Sequence, residues 1–259
     1  MKNEVKIHEV SPLSLKGRRE FLKISGLTLA GTGLMIAGCS SDDMLDSPEG
    51  KKANPGINGN GHFPGPKGGV FDLGGNDLGI LTYAYALEQL EADFYTRVVN
   101  AAGFTSTFTA EEQQVLTDLY YHEVIHREFF QTVLTGALPN PNHMLLPDLA
   151  FDYGSLNFSS RDQVLATAKA LEDTGVAAYN GAGRYLTNPG YLLFAGKIVS
   201  VEARHASAIR SLINPDSADF AGDDVVDPVT GLDVVKTPSM VLAIADGFIA
   251  TPFTAQYLP

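Results

Sequence analysis

Glu123-Val-Ile-His126 and Glu202-Ala-Arg-His205 are the stretches of this 259-residue chain that decide its fold. Each sets a carboxylate and an imidazole three residues apart, which on a helix makes them neighbours on one face. One such word from each of two helices, joined by one glutamate from each of two more, composes a site for two metal ions inside a four-helix bundle. A single Glu-x-x-His carries little weight, since shuffling this composition yields roughly 0.3 per chain. Two of them make it worth asking whether the chain supplies the other helices and carboxylates.

It does so on both sides of each word. Asn76 or Asp77 is placed to cap a helix with apolar positions Ile80, Tyr83, Leu87, Leu90, Phe94 and Val98, predicted to stop near Gly103. Thr109-Ala-Glu-Glu112 spells a capping box. The helix it opens carries Val115, Leu116, Leu119, Ile125, Phe129 and Val133, with its end expected at Gly136. Pro139, Pro141 and Pro147 then exclude helix from much of the following segment. A third helix is predicted from near Ser160 to about Leu186, weakened in its latter half by Gly175, Gly181 and Gly183. Asn188-Pro189 starts a fourth, running to about Ile213. Beyond Asn214-Pro215 come acidic loops and a short helix from Thr237-Pro238 to about Ile249. No run of alternating residues reads as a strand, so the fold class is all-α.

The spacing also sets the depth of the carboxylates. Glu88 lies before the end of the first helix by about the distance that Glu123 lies beyond the start of the second, and Glu172 and Glu202 repeat the relation in the other hairpin. Antiparallel helices rise equally, about 1.5 Å per residue, so all four glutamates fall at mid-bundle. The proline-rich stretch between helices two and three is the crossover that joins two such hairpins.

On these residues the chain resembles ferritin-like proteins, and within them the branch related to desiccation-related proteins. The likeness spans about residues 76 to 213. It rests on Ala86-Leu-Glu-Gln-Leu-Glu-Ala-Asp-Phe-Tyr95, Tyr121-His-Glu-Val-Ile-His-Arg127, Ala170-Leu-Glu-Asp-Thr-Gly-Val-Ala-Ala-Tyr179 and Val201-Glu-Ala-Arg-His205. The resemblance implies a ferritin-like bundle whose metal ligands are Glu88, Glu123, His126, Glu172, Glu202 and His205, with Glu123 and Glu202 placed to bridge. Glu91, one turn from Glu88, is the alternative ligand on the first helix, and Asp173 a weaker alternative to Glu172. Tyr95, Tyr121 and Tyr179 are candidates for hydrogen bonds to ligands, with Tyr85 and Tyr120 as further tyrosines in reach. The implied cofactor is a pair of iron or manganese ions, and the implied chemistry is redox turnover of O₂ or peroxide.

The donor set suits those metals. Four carboxylates carry −4 and two divalent ions +4, so the core closes neutral. Mixed oxygen and imidazole donors favour iron or manganese, whereas zinc sites more often use thiolates or three histidines. Two rival readings follow from other features. His122-Glu123-x-x-His126 spells the zinc-peptidase word HExxH, with Glu123 as general base, but leaves Glu172, Glu202 and His205 without a task. On the dinuclear reading His122 is turned about 100° from the site and is expected to pack or face solvent. The other rival is a non-enzymatic, lipid-anchored protective or binding bundle with structural metal or none.

The N-terminal segment reads as an address. Arg18-Arg19-Glu20-Phe21-Leu22-Lys23 resembles a twin-arginine export signal, with Gly17 where such signals usually carry Ser or Thr. The apolar run from Ile24 to Gly38 is short and glycine-rich, which suits a signal core better than a membrane span. It ends in Ile36-Ala37-Gly38-Cys39, which looks like a lipobox with Cys39 as the lipidated residue, and Cys39 is the sole cysteine. The expected organisation is therefore a signal peptide over 1–38, a flexible tether over 39–75 rich in Gly, Pro and Asn, the bundle over 76–213, and a C-terminal extension over 214–259. The expected location is the cell envelope, with the membrane as partner through the Cys39 anchor and room for a dimer. A net charge of −12 argues against nucleic acid.

Overall fold

The computed structural model describes residues 62–259. The export signal, the lipobox at Cys39 and the first part of the tether lie outside these described residues.

Four long helices form the core: α1 (Asn76–Val99), α2 (Ala110–Ala137), α3 (Arg161–Ala182) and α4 (Pro189–Ile213). The helices α1 and α2 pack as one hairpin, α3 and α4 as the other, and the α1–α3 and α2–α4 contacts close the bundle. The all-α class stands. A shorter helix, α5 (Pro238–Ala245), stops before its predicted reach to Ile249, and single helical turns also form over Phe104–Thr107 and Pro141–Met144. Likewise α3 stops at Ala182 and tightens into a 3₁₀ turn over Gly183–Tyr185.

The capping signals were realised unevenly. Thr109 and Glu112 form the reciprocal capping box: Glu112 N donates to Thr109 Oγ1 at 3.3 Å, and Thr109 N to Glu112 Oε2 at 2.8 Å. Asn188 Oδ1 accepts from Gly190 N at 2.8 Å. Neither Asn76 nor Asp77 caps α1. The Asp77 carboxylate instead accepts from Thr187 N and Asn188 N, both at 2.8 Å, and so pins the start of α1 to the α3–α4 turn.

Two expectations need correction. Short strands do occur: β1 (Gly65–Lys67) and β2 (Val70–Asp72) form an antiparallel hairpin, and β3 (Phe253–Thr254) adds in parallel to β2. At two or three residues each they are too brief to show a period. The same hairpin also overturns the reading of the last part of the tether as unstructured. Buried Asp72 explains it, because its carboxylate gathers Gly74 N at 2.9 Å, Thr254 Oγ1 at 2.6 Å and Lys67 Nζ at 3.1 Å. Composition alone does not reveal one polar residue that ties both ends of the domain together.

α1 is buried on nearly all sides, because the crossover and the C-terminal extension cover the flanks that its partner helices leave. Leu149 N donates to Gln89 Oε1 at 2.8 Å, and Tyr153 Oη donates to the Leu90 carbonyl at 3.2 Å, so the crossover is fastened to the helix carrying Glu88. On the far side the extension is held by Arg210, whose fully buried guanidinium pairs with Asp173 and Asp224 and also meets Asp219. Gly181 permits the extension to lie directly on α3: a Cβ there would sit 1.8 Å from the Lys236 carbonyl oxygen.

Candidate metal centre

The four glutamates converge at mid-bundle, one from each helix, and all four are fully buried. His126 and His205 complete the cluster one turn beyond Glu123 and Glu202. The potential ligand atoms fall into two groups of four, each drawn together within 4.8 Å. Glu88, Glu123, His126 and Glu202 form one group; Glu123, Glu172, Glu202 and His205 form the other. Glu123 and Glu202 belong to both. That sharing is the arrangement two adjacent ions require, each with a glutamate and a histidine of its own and two carboxylates between them.

The donor atoms fit such ions better than they fit one another. Glu88 Oε2, both oxygens of Glu123, Glu172 Oε2, Glu202 Oε1 and His126 Nδ1 are buried without a hydrogen-bond partner among the described residues. His126 Nδ1 does lie 2.8 Å from Glu202 Oε1, but that is a charge contact without hydrogen-bond alignment. Unpartnered buried polar atoms are costly and rare, so a cluster of them pointing inward marks a place for a cation.

Two tyrosines orient the outer glutamates. Tyr95 on α1 donates its hydroxyl to Glu172 Oε1 on α3 at 2.6 Å. Tyr179 on α3 reciprocates to Glu88 Oε1 on α1. Each bond fixes one carboxylate oxygen and leaves the other, Glu172 Oε2 or Glu88 Oε2, facing the cluster. Glu88 and Tyr95 are seven residues apart, as are Glu172 and Tyr179. This internal repeat was readable in the sequence as a doubled Glu-x₆-Tyr, and it relates the hairpins by an approximate twofold.

Without metal, protons take up the slack. Burial and then the neighbouring Glu202 push Glu123 up to about 8. Burial raises Glu172 to about 7 against the pull of His205. Burial also opposes ionisation of Glu202, but the imidazoles of His126 and His205 beside it prevail and hold it at about 2. For His126, burial disfavours the charged ring, yet Glu123, Glu202 and Glu88 outweigh it and push the ring up to about 12. His205 is raised in the same way, its burial outweighed by Glu172, Glu123 and Glu202.

The remaining candidates divide. Glu91 is buried but belongs to neither group of four, and its Oε1 lies where a Cβ on Gly175 would come within 2.9 Å. Burial, then the charges of the cluster carboxylates, raise it well above the ordinary range. Asp173 faces away, gripped by both Arg210 Nε and Nη2 at 2.8 Å. Tyr121 is not at the site: two residues before Glu123 on a helix puts it on the opposite face, where it is 56% exposed. Tyr85 and Tyr120 donate to no carboxylate of the cluster. His122 is exposed, within the expectation that it packs or faces solvent, and it also makes one contact that helix spacing does not foretell. Its Nδ1 meets Nε2 of His205 on α4 at 2.9 Å. Burial and the two nearby imidazoles depress it below the ordinary histidine range. His122 joins neither group of four, so the two histidines of the HExxH word do not converge on one point.

Fold and cluster together define a four-helix bundle built around a paired carboxylate–imidazole centre. The chain belongs to the ferritin-like domain family, whose model matches residues 76–215. No curated protein matches its sequence.

Proposed function

We propose that the cluster holds two divalent ions, iron or manganese, and that the protein is an exported redox protein acting on O₂ or peroxide in the cell envelope, within or near the desiccation-related branch of its family. The observation that carries the reading is the sharing of Glu123 and Glu202 between two buried groups of four. Four carboxylates balance two divalent ions, and the oxygen–imidazole donor set without thiolate suits iron or manganese. When bound, two adjacent ions supply a two-electron redox change to a small oxygen species.

The chain's own residues then have separate tasks. Glu88 and Glu172 each offer one free oxygen, held in direction by Tyr179 and Tyr95. Glu123 and Glu202 offer both of theirs across the gap, and His126 and His205 each present Nδ1. The enclosing helices keep bulk water out. None of the described helices is long and apolar enough to cross a membrane, and a lipid on Cys39 is the anchor that the lipobox resemblance supports.

The test is metal content per chain after anaerobic purification, beside a Glu123→Ala/Glu202→Ala double variant. About two ions in the parent and almost none in the variant are expected, followed by consumption of peroxide or O₂. A parent that stays empty after reconstitution would sink the metal reading. A loaded protein inert to both oxidants would leave the non-enzymatic protective bundle.

A further inference from the structure

The approximate twofold breaks at one residue, and the break makes the two halves of the centre unequal. In α2 the residue before Glu123 is His122; at the matching place in α4, before Glu202, stands Val201. His205 Nδ1 points into the cluster, 2.7 Å from Glu123 Oε1, 3.2 Å from Glu202 Oε2 and 3.5 Å from Glu172 Oε2. Its other nitrogen, Nε2, meets His122 Nδ1 at 2.9 Å. The ring centroids are 5.1 Å apart with planes within 11°, so at that contact distance the rings lie edge to edge in nearly one plane. This is the geometry of an in-plane N–H···N hydrogen bond, not of face stacking.

An imidazole that ligates through Nδ1 carries its proton on Nε2, and an acceptor for that proton fixes both the tautomer and the ring's direction. His122 Nδ1 stands where that acceptor is needed for His205. His126 also presents Nδ1 to the cluster, 2.8 Å from Glu202 Oε1 and 3.4 Å from Glu88 Oε2. Among the described residues no group accepts a hydrogen bond from its Nε2, and a valine in the symmetric position offers none.

We infer that the two ion positions differ in affinity: His122 is a positioning residue that makes the His205 position the tighter, while the His126 position is the exchangeable one. The inference rests on the dinuclear reading and deepens it. Its consequence is a protein that retains one ion when the other is lost, so that a half-loaded state is its ordinary resting form at low metal supply.

Titration of the full chain with Mn(II) under anaerobic conditions tests this, with bound and free ion separated by electron paramagnetic resonance. Two classes of binding separated by about 10–100-fold are expected, the first ion giving an isolated signal and the second a coupled one. His122→Phe keeps a flat ring but no acceptor, and should weaken the tighter class by about the same factor. His122→Gln, whose side-chain oxygen can accept from Nε2, should restore much of it. Because His122 sits at the surface, all of these chains should fold, which circular dichroism checks. Two equal classes in the parent, or unequal classes unmoved by His122→Phe, would overturn the inference while leaving the dinuclear centre intact. A parent binding no Mn(II) would overturn the dinuclear reading, and this inference with it.

Discussion

At the scale of single residues, the cluster includes two tyrosine hydroxyls beside its carboxylates and imidazoles. Tyr95 and Tyr179 each leave a buried glutamate oxygen unpartnered if cut back to phenylalanine. Each change should lower stability by about 1–3 kcal/mol in the metal-free protein, and the near-twofold relation makes the two losses similar. Chemical denaturation of Tyr95→Phe and Tyr179→Phe measures them; a clear loss for one and none for the other would show that the crossed bonds are not equivalent. The ligand-type residues were legible from the sequence because their spacing repeats: two Glu-x-x-His words and two glutamates at equal depth. The contact of the exposed His122 with His205 was not legible, because rotation about one helix axis says where a side chain leaves its own helix, not which neighbour stands there. Tyr121 failed for the complementary reason, since a motif neighbour two residues away is on the other side of the helix.

Elements show where local rules held and where long-range packing replaced them. The capping box at Thr109 and the proline start after Asn188 worked as read, because they involve only residues within one turn. The hairpin of β1 and β2 and the fastening of the crossover through Gln89 were invisible, since each depends on single polar residues meeting partners far away in sequence. Glycines in helices separate in the same way. Gly181 is required by the Lys236 carbonyl against it, so Gly181→Ala should destabilise by about 1–3 kcal/mol and loosen the extension toward proteolysis. Gly196 in mid-α4 is exposed with nothing within 4 Å of an added Cβ, so Gly196→Ala should instead stabilise by about 0.5–1 kcal/mol. Equilibrium unfolding of the pair decides it, and equal signs for the two would contradict the packing assigned to Gly181.

For the whole molecule, the buried cluster ties stability to pH. Glu123 and Glu172 have folded-state values raised from 4.5 to about 8 and about 7, so the stability they lend is complete below about 4.5 and is lost as pH climbs through those values. His126, raised from 6.5 to about 12, continues the loss at higher pH. Glu202, lowered to about 2, acts oppositely, and its share disappears only as pH falls below about 4.5. The metal-free protein should therefore melt at a lower temperature at pH 8 than at pH 5. With Mn(II) present the slope should shrink or reverse, because ions compete with those same protons. Calorimetry at both pH values, with and without Mn(II), checks this; a metal-free melting temperature that rises from pH 5 to pH 8 would contradict the proton inventory of the cluster.

The crossed tyrosine–glutamate bonds also bear on the order of assembly. Their partners are 77 and 91 residues apart in sequence, and each joins one hairpin to the other. Either hairpin can form from contacts close along the chain, but neither contains a finished half of the centre. Glu88 lacks its hydroxyl until α3 arrives, and Glu172 lacks its own until α1 does. Closure of the crossover is thus the event that creates the centre, and slow loop closure rather than helix formation should time it. Metal capture during refolding would then act as a clock for the docking of two preformed halves, starting only when the last long-range contact is made.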